Sequence, residues 1–169
     1  VQILADLELP KIGVIWDIGA GCGSIGLEAL KLRPDLDLFC FDKRIGSKAL
    51  ILENSKRLSV KPKFIFEEDI NNILNTRNLS SFEKPNRLII GGCDKKTKHQ
   101  IIKALATDMN IGDIIVIPII EIQTIKELKE ELEGKNFKTN LNLIQTYKSL
   151  SISEGIRLEP NNPVFLLKG

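Results

Sequence analysis

Apolar and polar positions alternate in blocks along this chain, and the blocks predict strands and helices in turn. Ile12 to Ile18 (IGVIWDI) is a short buried strand by its β-branched run. Ser24 to Leu32 has helical spacing and is stopped at Arg33–Pro34, because the residue before a proline avoids the α region. Leu36 to Phe41 predicts a second strand, Ser47 to Leu58 a helix, and Phe64 to Phe66 a third strand. Asn86 to Ile90 and Asp113 to Ile120 are further strands, with a helix over Lys98 to Ala106 between them. Glu121 to Glu133 predicts a surface helix with opposite charges three or four apart, closed by Gly134 at C′. Asn140 to Ser153 and Pro163 to Lys168 then look like strands without a helix between them, which predicts an antiparallel pair. The expected fold is α/β: a doubly wound, mostly parallel sheet with an antiparallel C-terminal hairpin.

At 169 residues, 43% hydrophobic and 27% charged, the chain suits one domain with a single core, spanning 1–169. Its 24 basic and 22 acidic residues leave a net charge of +2, a weak footprint for a nucleic-acid binder. The longest apolar run, Ile114 to Ile120, is too short to cross a membrane. Cys22, Cys40 and Cys93 form no C-x-x-C pair, and with one histidine they argue against zinc. Their odd number and a start without a secretory pattern lead us to expect a cytoplasmic protein. Because the chain starts at Val1 without methionine, we expect part of a longer or processed polypeptide.

The stretch "IWDIGAGCGSIGLEAL" (15 to 30) carries the first chemistry. A strand entering a helix through glycines aims backbone N–H groups at a ligand, and glycine removes the Cβ that would hold it off. Gly21, Gly23 and Gly26 satisfy the dinucleotide pattern G-x-G-x-x-G. Asp17, ahead of them, would repel a pyrophosphate but suits the ammonium group of S-adenosylmethionine. Acids also end three successive strands, at Asp17, Asp42 and Asp69, on the sheet edge where ligands bind. On this reading Gly19, Ala20, Gly21 and Gly23 line the methionine portion and Asp42 accepts both ribose hydroxyls. Asp69, with Ile70, reads the adenine amino group, and Lys43 packs over the ring. Helix capping would explain Asp42 or Asp69 as well, and solvent exposure would explain Lys43.

With these residues the sequence resembles the class I S-adenosylmethionine-dependent methyltransferases. "VIWDIGAGCGSIGLEALKLRP" (14 to 34), "RLIIGG" (87 to 92) and "NNPVFLLKG" (161 to 169) resemble one branch, the decarboxylating precorrin-6B methyltransferases of cobalamin synthesis. The resemblance implies the seven-stranded methyltransferase sheet and methylation of a corrinoid precursor at carbon 15, with loss of the ring C acetate carboxyl. It implies a homo-oligomer, usually a tetramer, and in some members fusion to a carbon-5 methyltransferase domain. By the same resemblance Gly91 and Gly92 lie beside the transferred methyl and the tetrapyrrole; a tight turn would explain the pair equally. The segment "PIIEIQ" (118 to 123) departs from the family pattern of polar residues after the fifth strand.

No acid–base dyad stands out, so no catalytic residue is assigned. His99 opens a polar helix and reads as surface. Lys95, Lys96, Lys98 and Arg157 are candidates for the substrate's carboxylates, although solvated surface explains each, and Tyr147 reads as packing. Two other functions stay open. An RNA methyltransferase would need a basic, aromatic-bearing surface, which one tyrosine and one tryptophan hardly supply. A non-catalytic NAD-binding module would rest on the literal glycine pattern, against Asp17.

Overall fold

Period-two alternation in four aliphatic strands builds two cores, one on each face of a single sheet. The computed structural model describes residues 1–76 and 82–169. In chain order the elements are α1 (Gln2–Asp6), β1 (Gly13–Ile18), α2 (Ser24–Leu32), β2 (Leu36–Phe41), α3 (Ser47–Leu58), β3 (Phe64–Phe66) and α4 (Ile70–Thr76). They continue with β4 (Arg87–Ile90), α5 (Lys95–Leu105), β5 (Ile114–Ile119), α6 (Ile122–Gly134), β6 (Asn140–Ile144), β7 (Tyr147–Ile152), β8 (Gly155–Pro160) and β9 (Val164–Lys168).

Seven strands form one sheet in the order β3-β2-β1-β4-β5-β9-β6. The first five run parallel; β9 inserts antiparallel between β5 and β6. On one face Ile15, Leu38, Ile89 and Val116 pack against Leu7 just after α1, Leu27 of α2 and Ile51 of α3. On the other, Trp16, Phe41, Ile90 and Ile117 meet Ile73 of α4, Ile101 of α5 and Leu128 of α6. This is the doubly wound, mostly parallel seven-stranded methyltransferase-like sheet that the sequence predicts.

Three local outcomes differ from the expectation. The segment Asn140 to Ser153 is not one strand: it breaks at Gln145–Thr146 into β6 and β7. β7 then pairs antiparallel with β8 as a separate two-stranded sheet, so "GIRLEP" is a strand the apolar pattern did not signal. Helix α6 runs through Gly134 rather than stopping before it, and Asn136, at φ 66°, takes the left-handed position beyond. Finally, α5 starts at Lys95 because the Asp94 carboxylate accepts from the Thr97 N–H at 2.8 Å.

Candidate active site

The crevice opens where the strand order reverses between β1 and β4, at the carboxyl edge of the sheet. The N–H groups of Gly19 and Ala20 both donate to the Phe41 carbonyl, at 2.8 and 3.1 Å, folding the glycine loop onto the end of β2. Gly19, Gly21 and Gly23 have φ of 74°, 65° and 78°, where a side chain is strained. A Cβ on Gly19 would also lie 2.0 Å from the Gly91 carbonyl oxygen.

Beside this loop lies a cavity of about 280 Å³. Of the candidate residues, Gly19, Asp42, Lys43, Asp69, Ile70 and Gly92 line it. The Asp42 carboxylate accepts from Gly21 N at 2.7 Å and Arg44 N at 2.9 Å, and from the Arg44 guanidinium at 3.0 and 3.2 Å. Burial alone would raise its pKa, but these donors outweigh it and hold the carboxyl below its ordinary value. Asp69 accepts from Asn71 N at 2.9 Å and stands 3.7 Å from the Lys43 ammonium. It therefore caps α4 and lines the cavity at once.

Asp17 departs from its expected place on the ligand side. Alternation along β1 puts it on the α2 face with Ile15, where it is only 2% exposed and accepts from Gly26 N at 3.1 Å. Burial raises its pKa to about 6, the Gly26 N–H opposing and the Asp42 charge adding to the rise. Ala20, Gly21, Gly23 and Gly91 are not among the residues that line this cavity. Gly91, whose φ is unstrained, donates its N–H to the Ile18 carbonyl at 2.8 Å.

Arg44, Glu68, Cys93, Asp94 and Thr97, none of them a candidate from the sequence, also line the cavity. Asp94 and Thr97 were detectable as an Asp-x-x-Thr helix start. Arg44, two residues after a strand-end acid, gave no comparable signal. His99 is less a surface residue than a tie between helices: it contacts Glu131 of α6 and lies 3.5 Å from Glu127, which Lys95 also holds at 2.6 Å. Lys98 donates to the Cys93 carbonyl.

Residues 1–168 match the family model described as a precorrin methyltransferase domain. A relative from Saccharolobus solfataricus, named "Probable cobalt-precorrin-6B C(15)-methyltransferase (decarboxylating)", is 29% identical over 170 residues, covering 98% of this chain and 82% of its own. A relative of the same name from Pyrobaculum aerophilum is 24% identical, covering 97% and 82%. The precorrin-6y C5,15-methyltransferase of Geobacter metallireducens superposes with a TM-score of 0.83 at 24% identity, over 99% of this chain and 85% of that one. The tRNA (m1A58) methyltransferase of Aquifex aeolicus shares the fold at 0.69 and 16% identity, over 99% and 65%. The fold alone thus serves more than one substrate class.

Proposed function

The chain belongs to the precorrin methyltransferase family, and from that premise we propose that it methylates a corrinoid precursor, precorrin-6B or its cobalt form, at carbon 15. The ring C acetate loses its carboxyl as carbon dioxide in the same turnover, and S-adenosylmethionine is the methyl donor. The observation that carries this reading is the cavity between the bare backbone of Gly19 and the Asp42 carboxylate.

The residues there fit the donor. Asp42 supplies carboxylate acceptors for the ribose hydroxyls; Asp69 and Ile70 supply a polar and an apolar edge for adenine, with Lys43 beside them. Ala20, Gly21 and Gly23 shape the loop that presents Gly19 to the methionine portion, and Asp17 fastens that loop to α2 from behind. Gly91 and Gly92 keep the adjoining wall free of side chains where a wide, flat tetrapyrrole approaches.

S-adenosylmethionine supplies an electrophilic methyl on a sulfonium. A reduced bridge carbon is enamine-like and already nucleophilic, so the protein's part is to align the two in line and exclude water. Asp42 and Asp69 fix the adenosine end, and the glycine loop fixes the other. No side chain is assigned to the decarboxylation.

Calorimetry with S-adenosylhomocysteine and with NAD tests the cofactor, and turnover of precorrin-6B with carbon dioxide release tests the reaction. Binding of the homocysteine product but not NAD is expected. Tight NAD binding alone would overturn the reading, as would methylation of transfer RNA in place of the corrinoid.

We also propose that the protein is cytoplasmic and a homo-oligomer, a tetramer by family resemblance, in some settings fused to a carbon-5 methyltransferase domain. Among the described residues no helix is long and apolar enough to cross a membrane. The β7–β8 pair exposes Ile156 (72%) and Leu158 (68%) beside Tyr147, and the edge strand β6 exposes Leu143. A two-stranded sheet is marginal alone, so a second copy covering this face is the expected arrangement; light scattering reads the assembly size.

A further inference from the structure

Asp42 has no free acceptor site in this structure. Its Oδ1 accepts from the backbone N–H of Arg44 at 2.9 Å and from the Arg44 Nε at 3.0 Å. Its Oδ2 accepts from the backbone N–H of Gly21 at 2.7 Å and from the Arg44 Nη2 at 3.2 Å. A carboxylate offers about four lone-pair sites, and all are filled. A ligand that hydrogen-bonds to Asp42 must therefore displace a donor.

The four donors are not equally removable. Two are main-chain N–H groups held by the glycine loop and by the turn into α3. The other two belong to one guanidinium whose side chain is 65% exposed and can swing into water. Its departure frees one site on each carboxylate oxygen. A vicinal diol presents two adjacent O–H donors, the pattern that the guanidinium fork presents to a carboxylate. The guanidinium reaches as far as Gly21, where a Cβ would be 2.9 Å from Nη2.

We propose that Arg44 is a latch on the cofactor site, standing in for the ribose diol at Asp42 until the cofactor displaces it. This rests on the reading of Asp42 as the ribose acceptor. The latch keeps a mostly buried carboxylate paired while the site waits, and every binding event breaks an ion pair before the diol bonds form. Arg44 thereby lowers cofactor affinity and makes binding stronger, not weaker, as salt screens the pair.

The test is calorimetry of the full chain with S-adenosylhomocysteine and its 2′,3′-dideoxy analogue, at low and high salt. Arg44→Ala is expected to tighten the diol ligand by about two- to fivefold, the range of one exposed ion pair, and to leave the dideoxy analogue unchanged. Salt should strengthen binding to the wild type and to Arg44→Lys, but not to Arg44→Ala. A merely structural role for Arg44 would move both ligands together. Asp42→Asn and Asp42→Ala test the underlying reading separately: if both bind the diol ligand as the wild type does, the ribose assignment itself fails. If they weaken it while Arg44→Ala leaves it unchanged or weaker, the ribose assignment stands and the latch is overturned.

Discussion

Gly19 and Gly91 meet backbone to backbone: a Cβ on Gly19 would stand 2.0 Å from the Gly91 carbonyl oxygen. The contact brings the loop after β1 against the end of β4 and closes the back of the crevice. Gly19→Ala must relieve that overlap and occupy φ 74° as well, at a cost of about 2–4 kcal/mol from strain and overpacking. Gly91→Ala meets nothing closer than 3.7 Å, so its stability should stay within about 0.5–1 kcal/mol of the wild type. Denaturant titration of both variants checks this. If Gly91→Ala folds normally but loses turnover, the glycine serves substrate access rather than the turn.

Asp17 gives a pH dependence of stability with a definite sign. Its carboxyl is raised from 3.8 to about 6 by burial, so folding favours the protonated form. Its contribution is fully present below the unfolded value and is lost as pH rises through 6. The difference amounts to about 3 kcal/mol between about pH 3 and neutral pH, most of it above about pH 4. Asp17→Asn keeps an acceptor for the Gly26 N–H and removes the titration. The stability of the variant relative to the wild type should therefore climb by about that amount between pH 4 and 7.5, read by urea unfolding at several pH values. A flat difference would mean that Asp17 does not titrate in this window.

Much of this was legible in the sequence because local signals and tertiary context agreed. The boundaries of α2, β2, α3 and β3 follow from where apolar runs meet prolines, glycines and acids. The burial of Asp17 was also present in the pattern: alternation along "VIWDI" puts it with Ile15, on the face opposite Trp16 and Ile18. The tail was less readable. β7 and β8 have exposed apolar and polar residues on both faces, so no buried stripe marks them. The Arg44–Asp42 pairing was unreadable because an exposed arginine near a strand end is common, and only the folded turn brings its fork onto the Asp42 carboxylate.

Glu67 holds the turn that carries Asp42 and Arg44. Its carboxylate accepts from Gly46 N at 2.9 Å and from Lys48 N at 3.0 Å, capping α3 from the end of β3. Glu67→Ala leaves those N–H groups to water, at about 1 kcal/mol for a lost cap, or about 2–4 °C in melting temperature for a chain of this size. S-adenosylhomocysteine affinity should fall with it, since the turn positions Asp42. Glu67→Gln, which still accepts, should recover most of both. A stability loss without an affinity loss would separate the cap from the site.

Arg87 lies at the other edge of the sheet, and its loss should affect stability alone. It is 8% exposed at the start of β4, and its guanidinium donates to the carbonyls of Glu8, Asn86 and Gly112, at 3.1, 2.6 and 3.1 Å. One planar fork thus ties the segment after α1 to the turn before β5. Burial lowers its pKa, with the Asp113 and Glu8 charges opposing, and because a guanidinium stays charged these carbonyls and carboxylates together support it. Lysine lacks the fork and cannot reach all three at once. Arg87→Lys should cost about 2–4 kcal/mol, the scale of broken hydrogen bonds to a buried charge. Its melting temperature falls accordingly, while S-adenosylhomocysteine binds as to the wild type wherever the variant is folded. A drop in affinity at a temperature where the variant is fully folded would show that the two edges of the sheet are coupled.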